Sequence, residues 1–350
     1  MTPRVCIILV NWNAWRHTIE CLESLFRQAY PRFQVVVCDQ GSTDASIEQL
    51  KAWASGQLIA DVGVPSSLRH LSSPPVRKPI PHIECDRAVA EAGGLRSWND
   101  VPLILVRIGE NLGFAAGNNV AMRYALKCGG FQFCWLLNND TVVDSAALTH
   151  MVDALLRDDG AGMCGCTMLY YVEPTRIQSL GGATYNKWTG VPRCIAESQP
   201  FSPEVLTEAL PERLDFINGA SMLVSTQFIR DIGFMSTRYF IYYEELDWSV
   251  RAKGRYTLTN APRSLVYHKH GASMGSSRDP AKISPTSDYY ALLNRLLFTK
   301  TYYPYALPSV YLGFVVTILN RIRRGQWRRI PMVGRVLWRH VRSLFARLPA

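Results

Sequence analysis

Val5-Cys6-Ile7-Ile8-Leu9-Val10, followed by Asn11-Trp12-Asn13, decides the fold. An unbroken apolar, β-branched run of strand length reads as a strand buried on both faces of a parallel sheet. After the turn, Ile19, Leu22 and Leu25 recur at helical spacing, so strand, loop and helix make a first unit. The unit repeats. Phe33 to Cys38 predicts a second strand, Asp39-Gln-Gly-Ser-Thr-Asp44 a polar turn, and Ile47, Leu50 and Trp53 a second helix. Leu103 to Arg107 predicts a third strand before a helix from about Ala115 to Leu126. Phe131 to Leu137 predicts a fourth, ending in Asn138-Asn139-Asp140. Strands alternating with helices of this size imply an α/β chain with a mostly parallel, doubly wound sheet.

Working outward, residues 62–101 carry Pro65, Pro74, Pro75, Pro79 and Pro81 and read as an irregular insertion, either a surface excursion or a lid. Beyond Asp140 the alternation degrades into a helix near Ala146 to Leu156, the run Met163 to Val172, a Gly-rich hairpin-like stretch at Gly181 to Tyr185, and a polar loop through Pro211. Order returns at Phe216 to Ser225, then in a helix carrying Glu244, Glu245 and Asp247, then in a strand ending at Tyr267-His268.

The chain has 350 residues, 48% hydrophobic and 19% charged, which excludes a disordered class and allows one large domain with an appendage. Its net charge is +10, and nine arginines between Arg321 and Arg347, with no acid among them, account for nearly all of it. Such a tail is expected to face an anion or solvent. Trp327, Trp338, Val341, Leu344 and Phe345 interleave with those arginines at helical spacing, which predicts an interfacial helix on an anionic membrane. Tyr302 to Asn320 is uncharged but holds Pro304 and Pro308, and so reads as a poor membrane-spanning helix. Nucleic acid is the rival anion, and neither a recognition fold nor stacking platforms support it. Nine cysteines without a Cys-x-x-Cys pair, and an N-terminus that opens on a strand, point to a reduced cytoplasmic compartment, peripheral on the inner face of the cell membrane.

In open α/β sheets the ligand lies beyond the carboxyl ends of the strands. Four consecutive strand ends carry hydrogen-bonding clusters, and jointly they favour a nucleotide site. Its candidates are Asn11, Asn13, Asp39, Asn111, Gly113, Gly117, Asn118 and Asn138. Asp39 is placed to accept from a base or ribose, and Asp44 to cap the following helix. The stretch Asn111 to Gly117 lacks the dinucleotide glycine spacing and follows the third strand, which argues against a dehydrogenase.

Asp140 ends a buried strand, where a carboxylate needs a cation. Mg²⁺ or Mn²⁺ bridging phosphate oxygens fits, with His268 as a second ligand and His270 a weaker one. Glu244-Glu245-Leu246-Asp247-Trp248 crowds carboxylates at a helix start. They either complement the helix dipole or supply a general base, and the residues alone leave both open.

Taken in order, Val-Cys-Ile-Ile-Leu-Val-Asn-Trp-Asn, Asp39-x-Gly-Ser-Thr-Asp44, Asn111-Leu-Gly-Phe-Ala-Ala-Gly-Asn-Asn119, Leu-Asn-Asn-Asp140-Thr, Glu244-Glu245-x-Asp247 and Val-Tyr-His268 resemble the family 2 inverting glycosyltransferases, over residues 4 to about 275. The nearest subgroup is the rhamnosyltransferase-like enzymes of bacterial surface polysaccharide assembly. The resemblance implies a GT-A, Rossmann-like catalytic domain at 1–275 and a helical, basic membrane-associating region at 276–350. It further implies a nucleotide-sugar donor such as dTDP-rhamnose, a divalent metal, and a lipid-linked or glycan acceptor. By position Asp39 matches the base-binding aspartate, Asp140 the anionic member of the metal motif, His268 a metal ligand in some relatives, and Glu245 the catalytic base. Glu244, Asp247 and Trp248 are expected on the acceptor side. Gln40 stands where relatives usually carry Asn. Two rivals remain: a nucleotidyltransferase, whose Gly-rich basic signature after the first strand is absent, and a non-catalytic binding module, which would not need Asp140, Glu245 and His268 together.

Overall fold

A computed structural model describes residues 2–59, 66–206, 214–269 and 283–345. The opening runs form β1 (Val5–Asn11), α1 (Trp15–Leu25), β2 (Phe33–Asp39) and α2 (Ser46–Ser55). There follow α3 (Arg69–Ser72), β3 (His82–Asp86), α4 (Arg87–Glu91), β4 (Leu103–Arg107), α5 (Phe114–Cys128), β5 (Phe133–Asn138), β6 (Thr141–Val143) and α6 (Ala147–Arg157). The next elements are β7 (Ala161–Tyr170), β8 (Glu173–Leu180), β9 (Ala183–Asn186), β10 (Val191–Cys194), β11 (Ser221–Ser225), α7 (Thr226–Ile232), α8 (Glu244–Ala252) and β12 (Thr257–His268). Three helices close the chain: α9 (Pro285–Tyr302), α10 (Leu307–Arg323) and α11 (Ile330–Phe345).

Ten strands form one sheet in the order β3-β4-β2-β1-β5-β11-β7-β12-β6, with β8 paired to β7. Strands β3 to β5 along this order are all parallel. β11 then runs antiparallel to both its neighbours, and β12 lies parallel to β7. The central strands show no polar alternation because both of their faces are covered. Val5, Ile7 and Leu9 join Leu22, Leu50 and Trp53 on one side, while Cys6 and Ile8 join Val120, Tyr124 and Leu136 on the other. Truncating one such side chain to Ala costs about 2–5 kcal/mol.

The insertion is not the irregular excursion expected from its prolines. Its described part adds an edge strand, β3, parallel to β4, and Glu84 on that strand takes ion pairs from Lys51 and Arg107. A five-residue strand carrying charge is a short, polar edge that resists pairing with another chain. Leu68 and Leu71 reach across to Val142 and Tyr171, and Gln34 Nε2 donates to the carbonyls of Trp98 and Val101. Residues 60–65 lie outside the described part.

α9 packs two ways. Phe298 sits against Tyr185 and Tyr243 of the body, while Leu292 and Leu296 pack with Val310 and Phe314 of α10 and Val333 and Val336 of α11. The arginine tail is not wholly free of acids, because Asp288 on α9 receives Arg321 at 2.7 and 2.8 Å and Arg329 at 3.2 Å. Nor do the prolines break the apolar stretch. Pro304 opens a 3₁₀ turn and Pro308 occupies the first turn of α10, where a missing N–H costs little. Pro304–Arg323 is a 20-residue helical stretch long and apolar enough to cross a membrane. Leu312, Val315, Val316 and Leu319, spaced along one face of α10, are all more than half exposed.

Candidate active site

The first two strand ends are tied to each other. Asn11 is fully buried. Its Nδ2 donates to Asp39 Oδ1 (2.7 Å) and Ser42 Oγ (3.2 Å), and its Oδ1 accepts from Thr18 Oγ1 (2.8 Å) and Asn139 Nδ2 (3.2 Å). Asp39 spends both oxygens in this knot, since Ser42 also donates its hydroxyl to Oδ1 at 2.5 Å and its N–H to Oδ2 at 3.1 Å. Asn13, held at φ +50°, uses Oδ1 to accept the Thr43 N–H at 2.7 Å. These three residues, expected to touch a ligand, also tie the loops to one another. Asn118 is corrected, because it is buried and donates back to the Phe114 carbonyl of its own helix. Asp44 does not cap α2, whose N-cap is Ala45 in the left-handed region; it accepts from the Ser46 hydroxyl at 2.5 Å.

Above the knot lies a cavity of about 100 Å³ walled by Trp12, Gln40, Asn111, Gly113, Asn138 and Phe240. Gln40 Oε1 accepts the Leu112 N–H (2.9 Å) and Asn111 Oδ1 the Gly113 N–H (3.0 Å), which sets the loop before α5. Gly113 has φ +84°, and a Cβ there would lie 2.3 Å from the Phe240 carbonyl oxygen, so only glycine fits. Gly117 is nearly as tight, with Gln40 Cδ 3.0 Å from where its Cβ would be.

Asn138 and Phe114 also wall a second cavity, of about 530 Å³, reached by Asp140, His268, Glu244 and Glu245. The two predicted metal ligands, far apart in sequence, meet here: His268 Nε2 is 3.1 Å from Asp140 Oδ1, and Asn138 Nδ2 is 3.4 Å from the same nitrogen. Burial pushes the Asp140 carboxyl up, but His268, His17 and Lys269 together outweigh it and leave its pKa below the ordinary value. Lys269 reaches both Glu20 and, at 3.0 Å, His17 Nδ1.

This donor set fits a hard divalent cation. Neighbouring ligands around an octahedral ion with bonds of about 2.1 Å stand about 3 Å apart, which matches the separation of Asp140 Oδ1 and His268 Nε2. Gln178 Oε1 lies 3.1 Å from His268 Nδ1 and can accept its proton, leaving the Nε2 lone pair turned to a carboxylate. With the proton on Nε2 this contact is a hydrogen bond, and with it on Nδ1 both atoms are free to ligate a cation. Asn139 is not part of the set, because its amide points inward to Asn11 and Thr18. His270 lies outside the described residues.

The carboxylate pair enters at the start of α8. Tyr242 and Tyr243 precede it with φ of +70° and +75°, conformations that cost non-glycine residues of order 1–3 kcal/mol each. Asn294 Nδ2 holds this turn by donating to the carbonyls of Ile241 (2.8 Å) and Tyr242 (3.1 Å). Glu245 is pushed up to about 7 by burial, with hydrogen bonds from its own backbone and from Gly219 pulling it back. Gly219 is a residue the sequence did not flag; a Cβ there would stand 2.1 Å from Glu245 Oε1. Burial and the adjacent Glu245 charge raise Glu244 too, and its buried Oε2 has no hydrogen-bond partner among the described residues.

Asp247 and Trp248, expected on the acceptor side, are turned away. Asp247 accepts from Arg251 Nε (2.8 Å) and Tyr302 OH (2.7 Å). Trp248 is fully buried against Phe228 and donates to the Gly233 carbonyl.

A parallel sheet extended by an antiparallel strand, flanked by helices and with its ligand groups at the strand ends, is the GT-A class of α/β fold. Mannosyltransferase PcManGT from Pyrobaculum calidifontis, solved with GDP-Man and Mn²⁺, shares it at a TM-score of 0.52 and 14% identity, over 98% of this chain and 88% of that one. GalNAc-T7, solved with UDP, GalNAc and Mn²⁺, does so at 0.56 and 13%, over 89% and 50%. In sequence, residues 6–63 match the model of Glycosyl transferase family 2. The low-salt glycan biosynthesis hexosyltransferase Agl10 of Haloferax volcanii is 24% identical over 166 residues, 45% of this chain and 49% of that protein. The uncharacterized protein Rv1525 of Mycobacterium tuberculosis is 26% identical over 164 residues, 46% and 55%. The matched stretch is thus about half the length of these curated relatives.

Proposed function

We propose that the chain is an inverting glycosyltransferase that moves a sugar from a nucleotide-diphosphate donor to a hydroxyl of a lipid-linked or polysaccharide acceptor. One observation carries this reading. A single cavity of about 530 Å³ sets a cation-ready group, Asp140 with His268 and Asn138, within the same walls as the carboxyl pair Glu244 and Glu245. A leaving diphosphate needs the first and an attacking hydroxyl the second. The smaller adjoining cavity, with Trp12 for a base to stack on, suits the nucleoside. The family match, the hexosyltransferase relative and a fold shared with sugar transferases all support the same class.

Asp140 and His268 would hold Mg²⁺ or Mn²⁺, which when bound supplies positive charge to the departing diphosphate. Glu245 accepts the proton of the acceptor hydroxyl. Its pKa near 7 lets it be ionised at neutral pH while still basic enough to take a proton. Burial and the neighbouring Glu245 push Glu244 up as well, which favours one negative charge on the pair over two. Asn11, Asp39 and Asn13 act one step back, fixing the loops that border the nucleoside cavity.

In its narrowest form the donor is dTDP-rhamnose, and the enzyme works as a peripheral protein on the inner face of the cell membrane, held by the arginine-rich tail. Incubation with dTDP-, UDP- and GDP-sugars and Mn²⁺ tests the class: nucleoside diphosphate should be released with one of them. Nucleoside monophosphate or pyrophosphate as product would instead mark a nucleotidyltransferase.

A further inference from the structure

Arg295 sits where the catalytic cavity meets α10. It is only 7% exposed and lines the cavity with Leu292 and Tyr243. Its Nε donates to the Thr189 carbonyl at 2.7 Å, its guanidinium carbon lies 5.0 Å from the Phe314 ring centre, and its Nη2 abuts Gly313 of α10. Among the described residues no carboxylate forms an ion pair with it, and both terminal nitrogens are without a hydrogen-bond acceptor. Its terminal nitrogens are unpaired but not sealed off, so the guanidinium is open to an anion that enters the cavity. Elsewhere on these helices Arg321 and Arg329 are paired, sharing Asp288.

The surroundings say what kind of anion. Thr189 belongs to the turn between β9 and β10, whose neighbour Trp188 is half exposed, meets Tyr305 edge to face at 5.7 Å, and accepts the Ser309 hydroxyl of α10 at 2.6 Å. From there the exposed stripe of Leu312, Val315, Val316 and Leu319 runs along α10, the helix whose inner side covers Arg295. Arg295 thus lies between the cavity it lines and α10, which meets it with Gly313 and Phe314 and turns Leu312, Val315, Val316 and Leu319 outward. We propose that Arg295 binds the phosphate of a lipid-phosphate acceptor, whose hydrocarbon lies along the α10 stripe while its sugar reaches Glu245. This deepens the glycosyltransferase reading and rests on it for the role of Glu245, but the phosphate site can be tested without any sugar transfer.

The test measures binding of farnesyl phosphate and of farnesol, each in neutral phosphatidylcholine nanodiscs, to the full chain, and separately of dTDP and UDP with Mn²⁺. The wild type should prefer the phosphate by about tenfold or more, the value of one hydrogen bond between charged groups. Arg295→Gln should erase that preference, Arg295→Lys should restore part of it, and nucleotide affinity should change in neither. A wild type that does not discriminate phosphate from alcohol overturns the proposal even if Arg295→Gln fails to fold. So does loss of dTDP or UDP binding in Arg295→Gln, which would give Arg295 to the donor. Full displacement of farnesyl phosphate by an equal concentration of inorganic phosphate would remove the lipid from the proposal. None of these failures bears on nucleoside diphosphate release, which tests the glycosyltransferase reading by itself.

Discussion

The two cavities differ in how their polar groups are employed. Beside the smaller one, Asn11 bonds to both Asp39 and Asn139, and Asn13 holds Thr43. In the larger one, among the described residues, Glu244 Oε2 has no partner and Arg295 no acid, and burial pushes Glu245 up. Where a site must be rigid its polar side chains are saturated, and where it must react they are left in need. The contrast can be broken by mutation, starting with the largest effect.

Asp140→Ala should reduce turnover to background and weaken donor binding with it, because the diphosphate loses its counter-charge; nucleotide titration beside turnover assays measures both, and near-normal turnover at saturating donor would refute the metal site. Glu245→Gln should keep donor affinity but slow single-turnover transfer by roughly 10²- to 10⁴-fold. The pH dependence has a fixed sign: Glu245 must be ionised to accept a proton, so the wild-type rate should fall as pH drops below about 7 and level off above it. A profile flat from pH 5 to 8 would move the base elsewhere.

Gly219→Ala forces Glu245 aside, and a misplacement of about 1 Å can cost up to about 10²-fold in transfer; an unchanged rate would mean that Glu245 is not the reacting group. On the saturated side, Asn11→Ala should lower stability by about 1–3 kcal/mol, the usual result of orphaning buried partners. Thermal unfolding would register it, and a neutral substitution would show that the knot is not structural. The smallest catalytic effect is expected on α10, where Leu312→Glu with Val316→Glu should abolish binding to anionic vesicles yet leave transfer to a water-soluble acceptor within about twofold, since burial of that face is what favours the membrane.

How much of this was legible in the sequence follows the same division. The buried strands announced themselves because they are apolar throughout, and Asp140 with His268 because each ends one. β3 did not, since His82-Ile-Glu-Cys-Asp86 is short, charged and flanked by prolines. Asn11, Asp39 and Asn118 looked like ligand groups, because a polar residue at a strand end reads the same whether it faces a substrate or another side chain. Asp247, two residues after Glu245, lies roughly 200° round the helix, while Trp248 is on a nearer face and is drawn inward by Phe228 and the Gly233 carbonyl. Gly219, Gln178 and Arg295 come from distant segments with no local pattern, and only the fold brings them to the cavity.

α9 is an 18-residue rod, about 27 Å long. Near its start, Asp288 clamps the two arginines that lead into α11; midway, Leu292 and Arg295 form cavity wall; further on, Phe298 is locked into the body. On the proposed reading, α9 ties the helices that would meet a bilayer to the wall that would meet an acceptor. On that reading the rod would work as a height gauge: with α10 on the lipid, only a hydroxyl at a set distance above it would come level with Glu245, and the length of the acceptor would join its chemistry in deciding which sugar is extended.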